Sequence, residues 1–247
     1  MTLQNLIETN QDVWQEFIYH DFVKNLSNSK LKPEAFEHFL IQNYLFLRHF
    51  TRLFALGMYK SRNYADMGFF LDLVKELIDF EIAHHLDYCE KFNISREEMN
   101  QIDEELGTIA YSRYIIDVAN TYSVPEILVA ITPYAIGFYD IARSAGESMK
   151  FKERNPDFAE WIKMHRSREY VETSRKIEDF LNENIKDIPM ESETGRTMLK
   201  IFRVATIAGT GLFEQSYNNF YQRGALRSRL LGGIFNRAVP QIGTNKL

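Results

Sequence analysis

Apolar residues recur at steps of three and four along most of this chain, which is the spacing of an amphipathic helix. The clearest segment runs from Phe36 to Met58. Pro33 lies just before it, where a proline suits the first helical turn, so we expect one long helix to begin there. A second segment with the same pattern, Leu71 to Phe92, predicts another long helix.

Capping signals divide the rest of the chain into further helices. Ser95 followed by Glu98 is a capping box, and Ser123 is placed to cap a helix that continues to Ala145. Pro133 lies inside that apolar run, and it should either kink the helix or be absorbed by a local adjustment. Further helices are predicted over residues 112–119, 157–181 and 193–221, with a loop over residues 182–194.

Strand signals are missing, because no alternating segment is bounded by hairpin turn residues. We therefore predict an all-α fold, a helical bundle of about seven or eight helices that forms a single domain over residues 1–221. Residues 222–247 are predicted to form a basic C-terminal extension. No acidic residue follows Glu214, and a solvated chain end, a subunit contact or an anion clamp would each suit this composition. The basic residues are Arg223, Arg227, Arg229, Arg237 and Lys246.

Composition narrows the class of protein. The chain has 247 residues, of which 45% are hydrophobic and 26% charged, and its net charge of −5 gives no general attraction to nucleic acid. Its one cysteine, Cys89, excludes an internal disulfide framework and a Cys-rich zinc module. We see no N-terminal basic segment followed by an apolar core, as a signal peptide would have. We also see no uncharged apolar stretch of about 18 residues, as a membrane-spanning helix would need. We expect a cytoplasmic protein without a membrane partner.

Tyrosines on otherwise apolar helix faces are candidates for a binding site, because a buried hydroxyl needs a hydrogen-bond partner. An all-α protein usually binds a small molecule between its helices. Most of the 19 Phe and 13 Tyr are expected to fill the core. The tyrosines that fit the pocket description are Tyr111, Tyr134, Tyr139 and Tyr217.

Two histidine motifs could bind a metal. Glu81 and His84 lie three residues apart, and His165, Glu169 and Glu172 recur on one helical stripe. Glu-x-x-His is the spacing that di-iron bundle proteins use, although such a site needs two of these motifs and two further carboxylates. The competing interpretation is a salt-linked outer helix face. A covalent mechanism through Cys89 has little support, and a buried inert thiol is the simpler interpretation.

Several segments together resemble the TenA (thiaminase II) family. The most specific is Phe36–Phe50, which contains Gln42-Asn43 where the family motif reads Gln-Asp. The resemblance extends from Val13 to Tyr221. Its other parts are Tyr19-His20-Asp21-Phe22-Val23, Glu81-x-x-x-His85, Ala110-Tyr111-Ser112, Glu126 to Tyr134, Trp161-Ile162 and Phe213-x-x-x-Tyr217.

This resemblance implies a haem-oxygenase-like helical fold, usually a homotetramer. It also implies hydrolysis of an aminopyrimidine at a C–N bond in thiamin salvage, without a cofactor. In the family an aromatic pocket stacks the pyrimidine, a Cys attacks it, and an Asp and a Glu orient the ring amine and move protons.

The chain departs from the family pattern at the catalytic positions. Asn43 replaces the Asp, Tyr134 replaces the Cys, and the Glu of the last helix falls on Gly209, or on Thr210 with a shifted register. Two family tyrosines align with Phe138 and His165. We therefore expect a divergent member that lacks the catalytic Cys.

Three hypotheses follow. The first is a hydrolase acting on an aminopyrimidine or a related small heterocycle. Its catalytic candidates are Glu214, Tyr134 and Asp140, with His165 as a further possible base. Its ligand-binding candidates are Asn43, Phe46, Tyr111, Tyr134, Phe138, Tyr139, His165 and Phe213.

The second hypothesis is a metal-dependent oxidase on the same fold, with a di-iron site made of Glu81, His84, His165, Glu169 and Glu172. The third is a protein that binds a small heterocycle without converting it. Under each hypothesis we expect a homo-oligomer, either a dimer or a tetramer.

Overall fold

The computed structural model describes residues 1–91, 95–147 and 156–222, and these residues form helices and the turns between them, with no β-strand. The all-α prediction is confirmed, with a finer division than seven or eight long helices. The helices are α1 (Leu3–Thr9), α2 (Gln11–Ile18), α3 (Asp21–Ser27), α4 (Pro33–Lys60), α5 (Tyr64–Glu76), α6 (Ile82–Lys91), α7 (Arg96–Gln101), α8 (Leu106–Thr121), α9 (Val124–Ala135), α10 (Gly137–Glu147), α11 (Pro156–Met164), α12 (Arg168–Ile185) and α13 (Glu193–Gln222).

Helix α4 carries Asn43 and Phe46, two of the residues predicted to bind the ligand. It begins at Pro33 and continues without a break to Lys60, as the apolar spacing predicts. Its buried positions include Asn43 and Phe46, which have 0% exposure. Helices α5, α8, α9 and α13 pack against it. A polar side chain at position 43 is therefore held in the interior, where it must be hydrogen-bonded.

The predicted helix from Leu71 to Phe92 is interrupted. Residues Leu77–Glu81 form a π-helical turn between α5 and α6. A π-helical turn adds one residue to the local helix period, so it changes which residues of the following helix face the interior. Such turns often occur at functional sites, and this one ends at Glu81.

The long apolar segment is interrupted at Ile136, three residues after Pro133, which itself lies inside α9. Helix α9 ends at Ala135 and α10 begins at Gly137, two residues later. By length and composition Val124–Gly146 could cross a membrane, but 83% of its apolar window is buried inside the protein. Burial by the surrounding helices explains its hydrophobicity.

The predicted helix starts are confirmed at two capping boxes, Ser95 with Glu98 and Ser123 with Glu126. The predicted loop over residues 182–194 is shorter than expected, because α12 continues to Ile185 and α13 begins at Glu193. Cys89 is fully buried, and burial raises its pKa to about 12, as expected of an inert thiol. The basic residues from Arg223 to Lys246 lie outside the described residues.

Candidate functional site

A cavity of about 1180 Å³ opens between the π-helical turn, α9, α11 and α12. Aromatic rings form part of its wall, among them Phe50, Phe54, Tyr134 and Tyr170. Charged groups line it as well, and Glu81 at the end of the π-helical turn is one of them. A concave site with aromatic walls and a few polar groups is suited to a small planar ligand.

The carboxyl group of Glu81 is the most perturbed acid at this cavity. Burial raises its pKa from 4.5 to about 7, although a hydrogen bond from Tyr134 acts in the opposite direction. The Tyr134 hydroxyl donates to Glu81 Oε1 at 2.8 Å. A carboxyl group with a pKa near 7 can both accept and return a proton at neutral pH, which is what acid–base catalysis requires.

Asn43 and His85 continue this polar cluster into the interior. Asn43 Nδ2 lies 2.9 Å from Tyr134 Oη and 2.9 Å from His85 Nε2. His85 Nδ1 lies 3.1 Å from the main-chain oxygen of Glu81. An amide nitrogen only donates, so His85 Nε2 accepts and Nδ1 carries the proton. Burial lowers the pKa of His85 to about 4, so the ring is neutral.

The predicted pocket aromatics come together as a stack of rings. The ring of Phe46 lies 4.7 Å from that of Tyr111 and 5.1 Å from that of Tyr134, and Tyr134 lies 4.4 Å from Phe138. Phe213 stacks at 5.2 Å on Phe22, farther inside the core. Of these rings, Tyr134 is the one that lines the cavity. The others are buried in the core beside it.

Three buried polar atoms lie beside this stack without a hydrogen-bond partner among the described residues. They are the Tyr111 hydroxyl, Trp161 Nε1 and His165 Nε2. Burial lowers the pKa of His165 to about 3, and its ring packs 4.0 Å from Trp161. Such a neutral, deeply buried imidazole is poorly suited to act as the base at the cavity.

Two predicted catalytic acids lie elsewhere, which corrects the expectation for both. Asp140 Oδ1 pairs with Arg143 at 3.0 Å, and neither residue lines the cavity. Glu214 is 52% exposed and its Oε2 pairs with His20 Nε2 at 2.8 Å. Tyr139 was predicted to bind the ligand, but its ring lies instead beneath the Arg143 guanidinium, at 5.8 Å.

The geometry of α13 explains why Glu214 does not reach the site. A Cβ atom at Gly209 would lie 3.5 Å from the Tyr111 ring, so position 209 faces the aromatic stack. Five residues later the helix has turned by about 140° beyond a full rotation, which directs Glu214 to another side. Tyr217, one turn from Glu214, accepts a hydrogen bond from Asn25 Nδ2 at 3.0 Å.

The five residues of the metal hypothesis are not assembled as one ligand set. Glu172 Oε1 lies 2.6 Å from Arg168 Nε, and His84 Nδ1 lies 3.0 Å from the main-chain oxygen of Phe80. His165 is in the core, while Glu169 is at the cavity. Within the part of the chain that the structure describes, no group of three or more His, Cys, Asp or Glu residues is placed to hold a metal ion.

Sequence reasoning did not find Glu81 as an acid–base residue or Tyr170 as part of the wall. Glu81 was predicted as a metal ligand of the oxidase hypothesis, and together with His85 as part of the resemblance. The raised pKa of Glu81 depends on burial by elements distant in the sequence, which no local pattern shows. The signal that could have pointed to Glu81 is Tyr134, because a buried tyrosine hydroxyl needs a polar partner nearby.

Comparisons with known proteins agree with this architecture. The family described as TENA/THI-4/PQQC matches residues 8–208. An uncharacterized protein of Haemophilus influenzae is 34% identical over 204 residues, which cover 83% of this chain and 93% of that protein. An aminopyrimidine aminohydrolase of Halalkalibacterium halodurans is 28% identical over 87% of this chain and 94% of its own length.

Solved structures show the same fold. A TenA family transcription regulator from a Silicibacter species superposes with a TM-score of 0.81 at 23% identity, over 87% of this chain and 95% of that one. A Shewanella denitrificans domain with a heme oxygenase-like fold gives a TM-score of 0.72 at 10% identity, over 91% and 96% of the two chains. At these identities the likeness concerns the fold alone.

Proposed function

Since this chain belongs to the TENA/THI-4/PQQC family, we propose that it is a divergent member, without the catalytic Cys, that hydrolyses an aminopyrimidine in thiamin salvage. Relatives from Halalkalibacterium halodurans, Helicobacter pylori and Bacillus subtilis are named aminopyrimidine aminohydrolase. The proposed substrate is a small planar heterocycle that carries an amino group on an exocyclic carbon.

The observation that carries this proposal is the Glu81 carboxyl group at the cavity wall. It has a pKa of about 7 and a fixed hydrogen bond to Tyr134. General acid–base catalysis is most efficient when the pKa of the catalytic group lies near the working pH. Glu81 therefore takes the role of the proton-transferring group, in place of the predicted Glu214 and Asp140.

The absence of a cysteine at position 134 changes the expected chemical step. Tyr134 stands at that position. Burial, and to a smaller extent the Glu81 charge, raise the pKa of its hydroxyl well above 10. A neutral phenol is a hydrogen-bond donor and a poor nucleophile. Water then attacks the exocyclic carbon directly, and the bond from that carbon to nitrogen breaks.

Glu81 transfers the proton in this step. Its carboxylate takes one proton from the attacking water, and that proton goes to the departing nitrogen. The products are the hydroxymethyl heterocycle and ammonia, and Glu81 returns to its starting form. No cofactor takes part in this scheme.

The walls of the cavity suit the ring of such a substrate. Phe50, Phe54, Tyr134 and Tyr170 offer aromatic faces near Glu81. Stacked or tilted aromatic pairs contribute roughly 0.5–1.5 kcal/mol beyond the burial of their area. The aromatic rings would hold the heterocycle in place while its exocyclic carbon lies near the Glu81 carboxylate.

The experiment is an assay of ammonia release from 4-amino-5-aminomethyl-2-methylpyrimidine. We expect Glu81→Gln to lower kcat by about 10²–10⁴-fold, because glutamine cannot accept the proton. Glu90→Gln is the matched control, since Glu90 is exposed on α6 and does not line the cavity. Equal rates for the wild type and Glu81→Gln would refute the role of Glu81. No release by the wild type would refute the proposed substrate.

We also propose that the protein is a homo-oligomer, a dimer or a tetramer. Supporting evidence is the exposure of large apolar side chains on the neighbouring helices α8 and α13. Leu106 is 79% exposed and Ile207 is 50% exposed. Light scattering after size-exclusion chromatography should give two or four times the mass of the chain, and Leu106→Asp should reduce it. A monomeric wild type over a wide concentration range would contradict the proposal.

A further inference from the structure

The Tyr134 hydroxyl lies between two hydrogen-bond acceptors but has only one proton to donate. Glu81 Oε1 is 2.8 Å away, and Asn43 Oδ1 is 3.2 Å away. Tyr134 is 1% exposed and comes from α9, whereas the two acceptors come from different elements. The hydroxyl proton must therefore choose between them.

His85 limits how the Asn43 amide can turn. The His85 proton is on Nδ1, which is directed to the Glu81 main-chain oxygen, so His85 Nε2 must accept from Asn43 Nδ2. This contact keeps the amide in one orientation. Both amide atoms then remain within hydrogen-bond distance of the Tyr134 hydroxyl, with Nδ2 at 2.9 Å.

Two hydrogen-bond patterns satisfy all the groups in this cluster. When Glu81 is ionised, Tyr134 donates to Glu81 and accepts from Asn43 Nδ2. When Glu81 is protonated, Glu81 donates to the Tyr134 oxygen, and the Tyr134 proton turns to Asn43 Oδ1. In either state no buried hydroxyl or carboxyl group is left without a partner, which avoids the usual cost of an unsatisfied polar group.

We propose that Tyr134 is a positioning residue that orients Glu81 at the cavity and exchanges its hydrogen bond between Glu81 and Asn43 as Glu81 gains or loses its proton. The role of Tyr134 in catalysis rests on the proposed function. The hydrogen-bond exchange itself does not depend on the identity of the substrate.

Other titratable groups surround Glu81 and share its cavity. From its own part of the chain these are Glu76, His84 and the interior His85. The element α9 contributes Tyr134. Helix α11 and the turn that follows it contribute Glu160, Lys163 and Arg166, and α12 contributes Glu169, Tyr170, Glu172 and Lys176.

Tyr170 provides a matched control for Tyr134. Both tyrosines line the same cavity, Tyr134 buried and Tyr170 partly buried, and burial followed by the Glu81 charge raises the pKa of each hydroxyl. The hydrogen bond to the Glu81 carboxylate comes from Tyr134. A change from tyrosine to phenylalanine removes one hydroxyl in either case, so the two variants separate the effect of that hydrogen bond from a general change of polarity.

The experiment is an NMR titration of the full chain labelled with ¹³C at the glutamate carboxyl groups, with Glu81→Gln to identify the Glu81 signal. We expect the midpoint of Glu81 to rise by about one pH unit in Tyr134→Phe, which is a tenfold change in the proton affinity. In Tyr170→Phe it should move by less than about 0.3 unit. Replacing Tyr134 with 3-fluorotyrosine, a stronger donor of nearly the same size, should lower it.

An unchanged or lowered midpoint in Tyr134→Phe would overturn the inference, as would an equal shift in Tyr170→Phe. If Tyr134→Phe does not fold, an unchanged midpoint with 3-fluorotyrosine overturns it. Because the titration needs no substrate, its result is independent of ammonia release. If the protein is active, the midpoint of the pH–rate profile should move together with the NMR midpoint, which a residue with a purely structural role would not cause.

Discussion

Replacing Glu81 by glutamine should make the folded protein more stable at alkaline pH while it removes activity. The pKa of Glu81 is raised from 4.5 to about 7 in the folded protein by burial. Between these two values the folded state holds a proton that the unfolded state has lost. The contribution of Glu81 to stability is therefore intact below about pH 4.5 and falls as the pH rises to about 7.

The size of this effect follows from the shift. A rise from 4.5 to about 7 corresponds to roughly 3 kcal/mol, at about 1.4 kcal/mol per pKa unit. Glutamine carries no charge at any pH and can still accept a hydrogen bond from Tyr134. The stability gained by Glu81→Gln should therefore be close to zero at about pH 4.5 and approach roughly 3 kcal/mol above about pH 7.5.

Thermal unfolding followed by circular dichroism at about pH 5, 6, 7 and 8 measures this difference. For a chain of this size the full effect corresponds to a rise in Tm of about 6–10 °C. Glu90→Gln, on the exposed side of α6, should show no such trend. A difference between Glu81→Gln and the wild type that is constant over the pH range, or that decreases as the pH rises, would refute the reasoning.

Three further predictions concern the site and its packing. The rate of ammonia release should rise with pH and level off above about pH 7, since Glu81 acts in its ionised form; a rate that falls through this range contradicts its role as base. Gly57→Ala should destabilise the protein by about 1–3 kcal/mol in urea unfolding, because its Cβ would lie 2.4 Å from a phenyl carbon of α5. Gly68→Ala, with nothing within 4 Å of its Cβ, should instead stabilise it by up to about 1 kcal/mol; losses of equal size in both variants contradict the packing argument. A chelator should leave ammonia release unchanged, because no group of three or more His, Cys, Asp or Glu side chains among the described residues is placed to hold a metal ion; loss of activity that returns with ferrous iron would favour the metal hypothesis.

The helices themselves could be predicted well from local signals. Pro33 and the apolar steps that follow it define the start and the buried face of α4, and Ser95 and Ser123 cap helices where their capping boxes predict. These features depend on residues three or four positions apart. The π-helical turn at Leu77–Glu81 was missed, because its sequence follows the same apolar spacing as an ordinary α-helix.

The candidate site was predicted in part. Of the residues predicted to bind the ligand, Asn43, Phe46, Tyr111, Tyr134 and Phe138 lie together, and Tyr134 is the one of these five that lines the cavity. Glu214 and Asp140 were selected because they are carboxylates close in sequence to expected positions. The rotation of α13 and the ion pair within α10 direct them away from the cavity.

The sequence by itself determined the all-α class and the long apolar helices with their caps. These properties follow from residue identity and short-range spacing. Only the tertiary structure decided which carboxyl group is perturbed. Glu81 gains its raised pKa from burial and its orientation from the Tyr134 hydroxyl, 53 residues away along the chain. Desolvation depends on all the surrounding elements at once, so it emerges only when the helices have packed.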